Sequence, residues 1–253
     1  MANKYVDFIS DEHLLDCIKN LHDSYVKSKA NVSKKKFYNN KIDTFKLTFD
    51  SQFNNVSERS VIETEILRQI DKSINNSIGT FHEQVLGGID GYERGNLSGF
   101  DIKATDDTLF ADIKNKHNTM NSSAAESLFQ KLAHYADTYK SAKCYWVQIL
   151  AKGSFNENWF GEINGKEYSH SRVYKISGDQ FYFLLTGKET AFFELHQALP
   201  NAIIEFLTGQ EQQKPIENSA LSEIESQTKE SGRSIFNEIT FENYSYYLGF
   251  DKL

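Results

Sequence analysis

Asp101, Asp112 and Lys114 are the residues whose types and spacing best fit a chemical reaction. They lie in the run Ser98-Gly-Phe-Asp-Ile-Lys-Ala-Thr-Asp-Asp-Thr-Leu-Phe-Ala-Asp-Ile-Lys-Asn-Lys-His-Asn-Thr-Met-Asn121, and residues 99–116 of it read as a β-hairpin turning at Asp106-Asp107. With that turn, residues whose numbers sum to 213 face each other, so Asp101 stands opposite Asp112. Opposed side chains of an antiparallel pair share a face, with Cβ atoms about 4.5–5.5 Å apart. Lys114, two positions past Asp112, shares that face. Two carboxylates forced together destabilise a sheet unless a cation lies between them, and oxygen donors suit Mg2+. An ammonium beside such an ion can orient an attacking water or stabilise charge on a pentacovalent phosphate. The parts for phosphodiester hydrolysis thus stand on one hairpin. The bare pattern also suits an exposed hairpin with scattered charges. A second frame exists as well, Asp90 with Asp101-Ile-Lys103, but the polar, glycine-rich stretch 91–99 offers it no first strand.

The elements around the hairpin follow from periodicity. A helix is predicted over Asp11–Ala30, capped by Ser10, with Leu14, Leu15, Ile18, Leu21 and Tyr25 on one face. Phe45, Leu47 and Phe49 alternate as a short strand. A long helix opens at Ser60-Val-Ile-Glu63 and buries Ile62, Ile66, Ile70, Ile74 and Ile78, and a shorter one restarts at Gly79-Thr80 and ends at Gly87-Gly88. A third helix starts at Ser123 with Leu128, Phe129, Leu132, Tyr135, Ala136 and Tyr139 inward. Residues 144–151 form a buried strand, and residues 155–186 further strands with turns at Asn164-Gly165 and Gly178-Asp179. A helix around residues 189–207 is expected to kink or break at Pro200. Residues 208–234 read as a surface segment or linker, and 235–250 as an aromatic stretch that docks back. This order gives an α/β fold, a mixed sheet flanked by helices. One domain is expected over 1–253: a helical and basic part (1–56), a catalytic core (57–150), strands and helix (151–207), then the linker and aromatic C-terminal segment (208–253).

The net charge of -7 argues against binding nucleic acid through total charge alone, so local distribution matters more. Between Val26 and Leu47, Lys27, Lys29, Lys34, Lys35, Lys36, Lys41 and Lys46 face one acid, Asp43; they suit phosphate contact or a solvated face equally. With 39% hydrophobic residues a large core is affordable, which excludes global disorder. Cys17 and Cys144 are isolated and provide neither a disulfide framework nor zinc spacing. No apolar run approaches membrane-span length and no signal peptide opens the chain, so a cytoplasmic, soluble protein is expected.

The hairpin and its flank resemble the PD-(D/E)XK nuclease superfamily, and within it type II restriction endonucleases. Asp101 matches the first motif acid, with Phe100 where the superfamily name has proline, and Asp112-Ile113-Lys114 matches the (D/E)XK element. The more specific signal is Lys114-Asn-Lys-His-Asn-Thr-Met-Asn121, similar to the Lys-Asn-Lys-x-Asn-Thr-x-Asn run of enzymes that cut GG-N-CC or GG-(A/T)-CC sites. The resemblance covers residues 80–140 and beyond them only element order. It implies a restriction-endonuclease-like fold, a prokaryotic enzyme and Mg2+-dependent cleavage of double-stranded DNA to 5′-phosphate and 3′-hydroxyl ends. Asp101, Asp112 and the Ile113 carbonyl would hold the metal, helped by Glu83, and Lys114 would position the water. A helix acid such as Glu83 is common there, although Thr80-x-x-Glu83 is also a capping box. Gln130 or Lys131 would support the site, unless both simply lie on a solvated face. Lys116, Asn118, Thr119 and Asn121 are the DNA-binding candidates; asparagine can read adenine, but it can also cap the next helix. A homodimer and a cognate methyltransferase are implied partners. Alternatives are a repair or RNA-processing nuclease of the superfamily, or a non-catalytic DNA-binding module on the same fold.

Overall fold

The computed structural model of the chain describes residues 3–30, 44–56, 58–95, 99–118, 120–208, 229–233, 241 and 245–252. They fall into two compact units, Met1–Leu15 with Glu83–Leu253, and Asp16–His82.

The smaller unit is helical. It takes in α1 (Asp11–Ala30) from its second turn, α2 (Thr44–Asn54), and α3 (Glu58–Leu86) as far as His82. Ser10 caps α1 as read, its Oγ accepting the His13 N–H at 3.2 Å. The alternation of Phe45, Leu47 and Phe49 does not make a strand. Helical spacing wins, because Phe49 stacks on Phe53 at 5.3 Å and Lys46 pairs with Asp50, both at i,i+4. On α3, Ile66, Ile70, Ile74 and Ile78 are half-buried rather than buried, and the Ile62 side chain lies outside the described residues. The buried acid Glu65 is held by both ends of the Arg68 fork at 2.6 Å. Nor does the helix restart at Gly79-Thr80: α3 runs on to Leu86, since one glycine costs far less than a second nucleation. Of the basic run, Lys34, Lys35, Lys36 and Lys41 lie outside the described residues.

The larger unit is built on a six-stranded mixed sheet, the architecture of a restriction-endonuclease-like fold. Its strand order is β1 (Tyr92–Arg94), β2 (Ile102–Ala104), β3 (Leu109–Lys116), β4 (Lys143–Leu150), β8 (Val173–Ser177), β5 (Asn156–Asn158). β3, β4 and β8 are parallel and central, and most of their residues are buried, the polar Asp112, Gln148 and Ser177 among them. Helix α4 (Ser122–Thr138) joins β3 to β4 and packs Leu128, Phe129 and Leu132 with Phe110, Cys144 and Val173. Burial pushes the Cys144 thiol up to about 12, which leaves it a packing residue. Residues 178–186 are not strand: Gly178–Thr186 is α5, with Phe181, Tyr182 and Leu185 buried and Gly187 closing it in the left-handed region at φ 71. α6 (Ala191–Leu207) packs on α5 and carries Pro200 internally without ending there. A separate hairpin, β6 (Gly161–Ile163) and β7 (Lys166–Tyr168), turns at Asn164-Gly165 with φ 52 and 75, as that dipeptide predicts. Near the C-terminus, Tyr247 and Phe250 are buried, so the described part of the aromatic stretch does dock back. The Tyr247 hydroxyl accepts the Ala151 N–H at 2.7 Å and donates to the Ile149 carbonyl at 3.0 Å. Among the described residues no helix is long and apolar enough to cross a membrane.

Two glycines check these assignments. A Cβ on Gly79 would meet nothing within 4 Å, whereas one on Gly178 would meet the Ile149 carbonyl oxygen at 2.8 Å. Gly79→Ala should therefore stabilise the protein by about 0.5–1 kcal/mol. Gly178→Ala should destabilise it by about 1–3 kcal/mol, because backbone cannot step aside. Urea unfolding midpoints measure both, and a destabilised Gly79→Ala would mean that α3 does break there.

Candidate active site

The sheet register brings the two acids together as the spacing predicts. Ile102 pairs with Ala111 and Lys103 with Phe110, both summing to 213, and the Asp101 N–H donates to the Ala111 carbonyl at 3.0 Å. The turn differs in detail. Four residues, 105–108, connect the strands, because Thr105 donates instead to the Gly91 carbonyl at 2.9 Å while Asp107 takes φ 59. Asp106 accepts from the Thr108 N–H at 3.1 Å and from its hydroxyl at 2.6 Å, closing the bend. The stretch 91–99 does offer a strand, β1, antiparallel to β2. The second frame still fails to assemble: Lys103 pairs with Asp107 at 2.9 Å and Glu93 at 3.2 Å, and Asp90 is exposed.

Asp112 is buried, and each of its oxygens meets an ammonium. Lys114 donates to Oδ1, and Lys131, arriving from α4, donates to Oδ2 at 3.3 Å. Lys131 also donates to the Gly99 carbonyl and lies 4.1 Å above the Phe100 ring. Among the described residues no ammonium or guanidinium pairs with Asp101. Its Oδ2 accepts the Ile113 N–H at 2.6 Å. Burial first, then the charges of Asp112 and Glu83, hold its carboxyl above the ordinary aspartate range, against the Ile113 bond and Lys114.

Glu83 belongs to the last turn of α3, so Thr80-x-x-Glu83 is no capping box. A carboxylate at a helix C-terminus is unfavourable toward the helix dipole, and Arg94 on β1 compensates at 3.0 Å. Arg94 escaped the sequence reading because a three-residue strand carries no period to detect. Gln130 turns away from the acids toward Tyr168 at 3.4 Å, so adjacent helix positions have opposite fates. His117 contacts the Leu150 carbonyl through its ring at 3.3 Å. Of the polar run, Lys116 ends β3, Asn118 is exposed, and Thr119 lies outside the described residues. Asn121 is the N-cap of α4, accepting the Ala124 N–H at 2.9 Å, and the helix starts at Ser122 rather than Ser123.

The donors fit a hard divalent ion. Among the described residues no three His, Cys, Asp or Glu side chains gather as a ready-made cage. Two carboxylates and the adjacent Ile113 carbonyl suit an ion that keeps most of its shell for water and phosphate.

Comparison with known proteins decides the family. The Eco47II restriction endonuclease family model matches residues 6–208. The chain belongs to that family. It is 41% identical over 261 residues to the type II restriction enzyme Sau96I of Staphylococcus aureus, covering 99% of this chain and all of the relative. Identity to the type II restriction enzyme Eco47II of Escherichia coli is 29% over 209 residues, covering 78% of this chain and 86% of that one. No solved structure matches it. This restriction endonuclease is a site-specific endodeoxyribonuclease acting on double-stranded DNA, and such enzymes need a divalent metal.

The unequal surroundings of the two acids make a stability prediction. A raised carboxyl pKa favours folding fully below the ordinary value of 3.8, and that advantage is lost as pH rises through the folded value. Ionised Asp101 therefore costs stability at neutral pH, and Asp101→Asn should raise the melting temperature in EDTA or leave it unchanged. Asp112→Asn should lower it, because two lysines lose their partner. Melting curves at neutral pH check the pair, and the opposite order would overturn this account of the charges.

Proposed function

We propose that this restriction endonuclease hydrolyses DNA with Mg2+ held by Asp101, Asp112 and the Ile113 carbonyl, with Glu83 assigned to the Asp101 side. The observation that carries the reading is the convergence of Asp101, just before β2, with Asp112 and Lys114, in the middle of β3. When bound, the ion would supply Lewis acidity toward the scissile phosphate and acidify water. Lys114 holds and orients the attacking water while Asp112 fixes its ammonium. Asp101, pinned by the Ile113 N–H, keeps its carboxylate facing its partner acid. Water adds at phosphorus and the 3′ oxygen leaves, which gives 5′-phosphate and 3′-hydroxyl ends.

The proposed target is a short palindromic or near-palindromic site of the GG-N-CC or GG-(A/T)-CC kind. Two strands need two active sites and each chain carries one, so a homodimer is proposed. A methyltransferase of the same specificity would protect host DNA in the cytoplasm. Lys116, Asn118 and Thr119 are assigned to DNA contact. Asn121 is assigned mainly to capping, because its Oδ1 is already engaged.

Mapping the ends of a plasmid digest tests the reading directly. Discrete fragments with Mg2+ or Mn2+, and none with EDTA or Ca2+, are expected. Random nicking would point instead to a repair-type nuclease, and full activity in EDTA would sink the metal assignment.

A second prediction separates chemistry from recognition. Lys114→Ala should abolish single-turnover cleavage while cognate binding in Ca2+ stays within a few-fold of wild type. If Asn118 reads a base, Asn118→Ala should lose about 1–3 kcal/mol of discrimination between cognate and scrambled duplexes with the metal site intact. Asn121→Ala should chiefly cost about 1 kcal/mol of stability. If Lys114→Ala loses binding and Asn118→Ala keeps full specificity, the division is wrong.

A further inference from the structure

Lys131 has no place in the hydrolysis outlined above, yet it occupies one oxygen of its central carboxylate. The side chains of Lys131 and Asp112 are 33% and 12% exposed, so the pair is largely withdrawn from solvent screening. The two lysines on Asp112 are not equivalent. Lys114 is two residues away on the same strand, where the β period keeps it on that face whatever else moves. Lys131 comes from another element and reaches Oδ2 at the longer distance of 3.3 Å. It also has alternatives, since the Gly99 carbonyl and the Phe100 ring hold the same ammonium. One turn further along α4, Tyr135 packs edge-on against Phe100 at 4.6 Å and steadies that ring.

A divalent ion and an ammonium cannot share one carboxylate oxygen without strong repulsion. An ion entering at Asp112 must displace a lysine, and Lys131 is the one that can leave. Its three donors suit a phosphate oxygen as well as a carboxylate one. We infer that Lys131 is a positioning residue that stands in for the divalent ion: it neutralises Asp112 in the DNA-free enzyme and yields that oxygen when a DNA phosphate draws the ammonium away. This rests on the assignment of Asp112 as a metal ligand. Metal and DNA are then linked through one side chain, and by reciprocity each raises the affinity for the other.

The test uses the full chain and Tb3+ alone, a hard trivalent probe read by luminescence excited through tryptophan, since Trp146 pairs in register with Asp112. Without DNA, Lys131→Met and Lys131→Gln should bind Tb3+ about three- to tenfold tighter than wild type, the range expected for losing one competing ion pair. Lys131→Arg, which keeps the charge, should remain near wild type. In a second measurement, fluorescence anisotropy of a labelled duplex, added Ca2+ should strengthen DNA binding less in the methionine and glutamine variants than in wild type. A residue that merely packs α4 would not increase metal affinity when removed. If the methionine variant fails to fold, the glutamine variant carries both measurements. Tb3+ affinity unchanged or weakened in the neutral variants, with binding abolished by Asp112→Asn, overturns the role of Lys131 alone. Tb3+ binding that survives Asp112→Asn overturns the metal assignment itself.

Discussion

The constraint on which the site depends is the hydrogen-bond register that sets Asp101 against Asp112. A sheet has no use for two opposed carboxylates, and the surroundings are arranged to tolerate them. One acid is given two ammonium groups, while the other is given a backbone N–H and left above its ordinary pKa. The imbalance matters. Had both acids been fully paired, nothing would favour a metal, and had neither been paired, the hairpin would be strained without one. The register itself is fixed from outside, since β3 is locked in parallel to β4 along its length and β2 is held on its far side by β1. A slip of one residue would turn Asp112 away from α4 and set Ile113 on that face in its place.

Much of this was legible in the chain because it is local. The pairing of Asp101 with Asp112 follows from the position of the Asp-Asp turn and a period of two, and it holds although the connection is four residues long. Lys114 follows by the same arithmetic. The partners contributed by packing were not legible. Lys131 and Gln130 are adjacent and equally polar, and only the angle at which α4 crosses the sheet sends one to Asp112 and the other to Tyr168. Arg94 could not be found from a three-residue edge strand lying in a glycine-rich stretch.

The misread elements share a cause. Gly79 looked like a break, but a helix already nucleated on both sides passes through a single glycine. Residues 45–49 alternate like a strand only until Phe53 and Asp50 are counted, at which point the four-residue spacing is the longer pattern. Residues 178–186 are apolar on too many sides for periodicity to separate a buried strand from a buried helix, and length decides in favour of the helix. In each case a short window carried a signal that the neighbouring turns overrule.

The polar run after Lys114 shows how one segment divides its labour by position. Lys116 still pairs with Leu150 in the ladder, and His117 donates its N–H to the Leu150 carbonyl at 3.0 Å, so the backbone is tied down up to that point. The end of β4 is itself fastened by Tyr246 and Tyr247, whose hydroxyls bond the backbone of residues 149 and 151. At the other end of the run, Asn121 is committed to the first turn of α4. Between these two anchors lies Asn118, exposed and in a turn. A side chain that reads a base must be free to bond outward while its backbone is held to within a few tenths of an ångström. Asn118 is exposed one residue after the backbone bond of His117, whereas the Asn121 side chain is already spent on the helix cap. By fastening the end of β4, Tyr246 and Tyr247 hold the strand that β3 pairs with as far as Lys116, two residues before Asn118.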